Sequence, residues 1–278
     1  MAVLSDLNMN SENYSDVILE HYRKEAEEHG KDASSTMRDE ITRGREVTSV
    51  LRVLEFLKSR GAPVTNVLDI GCGNAYLLEV LRKNHPSIAL TGLEYTPEMV
   101  QIARDRGVAQ CAIEQGDVRA LPFGDHGFDV VITERCIINV MDRAHQADSL
   151  RQVARVLRSG GHYLCIEAFT DGLSELNHAR DELGLPPNEM PYHNLWFDKP
   201  WFLEVIAPDF EVVDLSPHRD PTLPGPNFLS SHYFISRVLY PAITNRPIIY
   251  NTHLVKFFSF LPPMGNYAPI QFYLLQKK

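Results

Sequence analysis

The chain has 278 residues, 44% hydrophobic and 23% charged, with a formal net charge of −9. That length suits one large α/β domain with insertions or two small domains, the composition is that of a soluble globular protein, and an acidic balance without a Lys/Arg cluster argues against nucleic acid as the substrate. Cys72, Cys111, Cys136 and Cys165 form no C-x-x-C pair, so neither a metal site nor a disulfide framework is expected, and reduced thiols in the cytoplasm are.

Met1 to Asn10 lacks a basic start and a long apolar core, so no signal peptide is read there. No apolar run approaches the roughly 18 residues of a membrane span. Residues 1–15 are polar and expected to be loose. Val17, Ile18, His21, Tyr22 and Ala26 share one helical face, and Gly30 closes that helix. A polar stretch, 31–39, leads to a second helix carrying Val47, Val50, Leu51, Leu54 and Leu57. Gly61-Ala62-Pro63 stops it.

Alternation of strand and helix follows. A strand at 66–70 runs into Gly71-Cys72-Gly73, and a helix spans 75–84. A strand at 88–93 ends in Glu94, and Thr96-Pro97-Glu98 opens a helix that Gly107 closes. Further strands are expected at 108–114, 128–133 and 162–168, with a helix at 142–157 between the last two. Such alternation predicts a Rossmann-like, doubly wound parallel sheet. Beyond 169 the regularity ends: a helix at 173–183, strands at 210–215 and 270–275, and a helical stretch near 228–240 are expected among prolines and aromatics. The division read is an N-terminal helical lid, 1–44, and a catalytic domain, 45–278, with cap insertions at about 170–208 and 216–269.

The glycine turn after the first strand is a nucleotide-type loop. No G-x-x-x-x-G-K-[ST] run exists, and Tyr76 stands where a dinucleotide loop wants a small residue. Asp69 before the turn would repel a pyrophosphate but can accept from an ammonium group or a backbone N–H. Glu94 can accept from a ribose diol, and Asp117, after Gly116, from an adenine amino group. Glu134 stands at the mouth of the fourth strand. All four acids fall at carboxyl ends of strands, along one crevice, and converge on S-adenosylmethionine. Each has a plainer role available: turn glycines, a solvated strand end, a turn cap, a loop residue. Cys72 reads as a backbone contact rather than a nucleophile.

Val-Leu-Asp-Ile-Gly-Cys-Gly, Gly-Leu-Glu, Gln-Gly-Asp-Val-Arg-Ala-Leu-Pro-Phe and Phe-Asp-Val-Val-Ile-Thr-Glu occur in that order. Over roughly 45–168 the chain resembles the class I S-adenosylmethionine-dependent methyltransferases of small-molecule type. The resemblance implies a seven-stranded sheet with the last strand antiparallel. It further implies that Asp69, Gly71 and Gly73 contact the methionine part, Glu94 the ribose hydroxyls, and Asp117 with Val118 the adenine, flanked by Tyr95. The product would be S-adenosylhomocysteine. Ala75 departs from the family's third glycine, a common variation.

Methyl transfer needs an aligned nucleophile, and a hydroxyl benefits most from a general base. His193 and His232 are the candidate bases, each beside aromatics in a late insertion; ordinary core or surface histidines are the plainer alternative. Asn139, Asn194, Trp196 and Tyr233 are candidate substrate contacts, and the cap's aromatics, Phe260 among them, can equally be its own core. Tyr14 and Tyr22 place the first helix as a lid, and either Arg43 or Arg45 can reach the cofactor carboxylate. The acceptor expected is a small-molecule hydroxyl of a sugar, polysaccharide precursor or secondary metabolite. N-methylation, aminopropyl transfer and a non-catalytic cofactor-binding module are the alternatives, and a homodimer stays open.

Overall fold

The computed structural model describes residues 11–32, 37–218, 220, 222–258 and 261–278, without the side chains of 11–14 and 217. The expectations for residues 1–10, part of the 31–39 linker, and the side chains of Tyr14 and Phe260 lie outside the described residues.

Seven strands form one sheet: β1 (Asn66–Ile70), β2 (Ala89–Glu94), β3 (Cys111–Gln115), β4 (Phe128–Glu134), β5 (Leu157–Ala168), β6 (Phe210–Val212) and β7 (Ile270–Lys277). Their order is β3-β2-β1-β4-β5-β7-β6, with β7 antiparallel to both neighbours. The reversal of direction of travel at β1 puts a crevice between the carboxyl ends of β1 and β4, where such sheets hold ligands.

The two-residue period of the strands builds two cores. Val67, Val130, Ile132, Leu164 and Ile166 pack with α2 (Glu40–Ser59) and α3 (Tyr76–Asn84). Leu68, Ile70, Val131, Tyr163 and Cys165 pack on the other face with α5 (Arg143–Val156) and α7 (Lys199–Ile206). Both faces are covered, so these strands read as continuous apolar runs rather than alternating ones. The helix α1 (Ser11–His29) contacts α4 (Pro97–Asp105), and Ile18 joins the second core. The helix α6 (Thr170–Glu182) follows β5 directly.

Several boundaries differ from the sequence reading. The division expected between 44 and 45 falls inside α2, which begins at Glu40 behind its N-cap Asp39. The strand β5 starts at Leu157, not 162, because Gly160 at φ +69° and a register shift opposite Phe128 let the chain bulge within the strand. Gln110 at φ +51° delays β3 to Cys111. The helix α7 went unread, although Asp198 caps it by accepting from the Trp201 N–H at 3.0 Å and Pro200 stands in its first turn. The cap helix α8 (Ser230–Phe234) continues through a π-helix, Ile235–Leu239, into α9 (Tyr240–Thr244), and α10 (His253–Phe258) follows. No helix among the described residues is long and apolar enough to cross a membrane. All four cysteines are free, two buried and two partly so.

Candidate active site

The glycine turn is stapled to the neighbouring strand. The Gly71 and Cys72 N–H groups donate to the Leu93 carbonyl at 2.8 and 3.0 Å. Gly71 sits at φ +74°, and a Cβ there would lie 2.7 Å from the Cys136 sulfur. Only glycine meets both demands. Ala75, at φ +60°, carries the left-handed conformation that leads into α3.

Four acids converge on this turn. Glu94 is 7% exposed; one oxygen accepts from the Gly73 N–H at 3.0 Å and the other from the Thr96 N–H at 2.9 Å. Burial raises its pKa. Asp69 is buried, and burial, with the Glu134 charge next, holds its pKa well above the usual carboxylate range. Asp117 accepts from the Arg119 backbone N–H at 2.8 Å and is gripped by the same residue's guanidinium. Glu134 pairs with Arg43 at 3.0 Å, while its Oε1 is buried with no partner among the described residues. Arg135, at φ +52°, turns back to pair with the fully buried Glu46.

These groups line one cavity of about 970 Å³ including its open mouth. Asp69, Gly71, Cys72, Gly73, Glu94, Tyr95, Asp117, Val118 and Glu134 are all in its wall, with Asn139 at one end. Arg43 lines it too, whereas Arg45 donates to the Phe228 carbonyl at 2.9 Å.

A second cavity, about 680 Å³ with its mouth, shares Tyr22, Arg135 and Asn139 with the first. The Asn139 amide donates to the Tyr22 hydroxyl at 2.8 Å, Asn194 donates to the Asn139 carbonyl oxygen at 2.6 Å, and the Trp196 indole donates to Asn194 at 3.3 Å. A polar chain therefore runs from α1 to the segment after α6. His193 lines the second cavity and stacks on His21, centroids 3.9 Å apart. Burial, with His21 next, pulls the His193 pKa down to about 4, and its Nδ1 has no partner among the described residues. The imidazole is neutral at neutral pH.

Three candidates stand elsewhere. His232 is fully buried, and its Nε2 faces the Asp39 carboxylate at 2.8 Å. Asp39 also pairs with Arg237 at 3.1 Å and caps α2 through the Thr42 N–H. His232 is thus committed to holding the start of α2 and lines neither cavity, which removes it as a base. Tyr233 is buried beneath the Arg237 guanidinium, 3.6 Å from the ring centroid, and is not a substrate contact. Trp196 is buried and acts on the site through Asn194 rather than by lining a cavity.

Glu167 was not anticipated. It is fully buried, and its carboxylate accepts from the N–H groups of Cys136, Ile137 and Ile138 at 3.1, 3.1 and 3.3 Å. It fixes the short 3₁₀ turn Ile137–Asn139, and with it Asn139. Burial pushes its pKa up to about 7. An acid inside the apolar run 162–168 was the available sign.

Residues 67–161 match the family model described as "Methyltransferase domain". That stretch, about a third of the chain, is what resembles a methyltransferase domain. Probable tRNA methyltransferase 9B of Mus musculus is 34% identical over 113 residues, 41% of this chain and 24% of that protein. The ubiquinone/menaquinone biosynthesis C-methyltransferase UbiE of Geobacter sulfurreducens is 33% identical over 110 residues, 37% of this chain and 42% of that protein. The chain thus spans between a quarter and a half of the curated relatives it matches. The solved structure of phosphoethanolamine N-methyltransferase 1 of Haemonchus contortus, with phosphoethanolamine and S-adenosylhomocysteine, shares the fold of this chain. Its TM-score is 0.60 at 14% identity, covering 99% of this chain and 51% of that one.

Proposed function

We propose that the chain is a cytoplasmic S-adenosylmethionine-dependent methyltransferase that methylates a hydroxyl oxygen of a small molecule. The observation that carries this is Glu94: a buried carboxylate at the end of β2, joined to the Gly73 N–H, in one cavity with Asp69, Asp117 and the glycine turn. A pyrophosphate would meet four carboxylates there; a cofactor with a positive sulfonium, an ammonium group and a ribose diol meets partners instead. The bare backbone at Gly71 and the unpartnered oxygen of Glu134 fit such a group as well.

Glu94 would accept from the ribose hydroxyls, Asp117 and Val118 would hold the adenine beside Tyr95, and Asp69, Cys72 and the glycine turn would hold the methionine part. S-adenosylmethionine, when bound, supplies an electrophilic methyl on a good leaving group. Tyr22, Arg135 and Asn139 separate the two cavities, so an acceptor in the second reaches the donor past them. His193, which lines the second cavity, is the candidate to take the acceptor's proton. Asn194 supports the reading by fixing Asn139.

The relatives' names mention tRNA, a quinone and phosphoethanolamine, so their acceptors differ in kind. The net charge of −9 favours a small molecule over tRNA. Calorimetry with S-adenosylhomocysteine tests the donor, and a radiolabelled methyl-transfer screen against phenols, sugars and amines tests the acceptor atom. A chain that binds no S-adenosylhomocysteine ends the reading.

A further inference from the structure

We infer that the second cavity is the acceptor site and that it takes a neutral, flat ring bearing a hydroxyl, the phenol class. The inference rests on the proposed binding of S-adenosylmethionine in the first cavity.

The wall is largely flat or apolar: the stacked imidazoles of His21 and His193, with Met37, Ile138 and Pro191. Tyr192 meets His193 edge to face and is 72% exposed, which extends the aromatic surface outward. Flat rings gain most from such walls.

Every charge in the wall is already matched. Arg38 pairs with Glu25 at 3.7 Å and with Glu28 at 4.0 Å. Arg135 pairs with Glu46. A phosphate, carboxylate or ammonium acceptor would have to open one of these pairs and lose part of its hydration for no new counter-charge.

The amides are committed too. Asn139 serves Tyr22, the Arg135 carbonyl at 3.0 Å, and Asn194. Asn194 serves Asn139 and Trp196. A polyol would bury hydroxyls without partners, which binding sites reject strongly. One hydroxyl can be served. Tyr22 accepts from Asn139, so its own O–H is left to donate to that hydroxyl.

The test uses the full chain loaded with S-adenosylhomocysteine, probed by saturation-transfer NMR with phenol, glucose and phosphoethanolamine. Phenol is expected to bind, and the other two not. His193→Ala and His21→Ala should each weaken phenol at least ten-fold while S-adenosylhomocysteine affinity changes less than two-fold. His193→Phe, which keeps the stack, should retain phenol binding and exclude a folding defect as the cause. Stronger binding of glucose or phosphoethanolamine, no binding of phenol, or wild-type phenol binding in both alanine variants overturns the inference. Failure of S-adenosylhomocysteine to bind overturns the functional proposal itself, a separate result.

Discussion

The Tyr22 hydroxyl accepts a 2.8 Å hydrogen bond from the Asn139 amide across 117 residues of chain, at the seam between the two cavities. Helix α1 is thereby tied to the turn that follows β4. Tyr22→Phe keeps the ring and removes the bond, at a cost of about 1 kcal/mol. Under the proposed function, acceptor KM should rise roughly five-fold with S-adenosylhomocysteine affinity nearly unchanged. An unchanged KM would show that the bond plays no part in acceptor binding.

Glu94→Ala removes the acceptor of the Gly73 and Thr96 N–H groups together with the expected ribose contact. S-adenosylhomocysteine binding should weaken by at least about 30-fold, roughly 2 kcal/mol. Calorimetry on the folded variant, checked by circular dichroism, reads this directly.

Gly71→Ala meets two obstacles, the positive φ and the Cys136 sulfur. The double variant Gly71→Ala with Cys136→Ala clears the contact but keeps the left-handed strain of about 1–2 kcal/mol. Denaturant melts should therefore show partial rescue. Full rescue would place all the cost in the steric contact.

Glu167→Gln replaces one carboxylate oxygen by an N–H₂ that faces backbone donors around the 136–138 turn. The loss should be on the order of 2 kcal/mol, or about 4–8 °C in Tm. Turnover should fall more than the melting shift explains, because Asn139 leaves its place. A variant with wild-type Tm and wild-type turnover would contradict the positioning role.

His162, at 6% exposure, is pulled down from 6.5 to about 4 by burial and then by Arg158. A lowered folded pKa means the unfolded chain takes up the proton first. The resulting stability is fully present above pH 6.5 and is lost as pH falls toward 4, on the order of 3 kcal/mol. Urea midpoints for His162→Leu should fall less steeply than wild type over that window. Parallel slopes would show that His162 carries none of the acid sensitivity.

The wall of the first cavity was legible because it is local. Asp69, Gly71 and Gly73 lie within one strand and its turn, and Glu94 and Asp117 follow the next two strands. Strand periodicity and glycine geometry act over a few residues, so their order along the chain is also their order along the crevice. The wall of the second cavity was not. His193 and His232 look alike in sequence, each beside an aromatic residue. One lines a cavity, and the other is locked to Asp39, 193 positions away. The Tyr22–Asn139–Asn194 chain and the three N–H groups held by Glu167 likewise join segments that meet only after folding. Which polar groups face each other across packed elements depends on loop paths and core packing, which no local pattern encodes. The sequence by itself determined the sheet and the acids gathered at the glycine turn; tertiary packing decided which histidine lines a cavity.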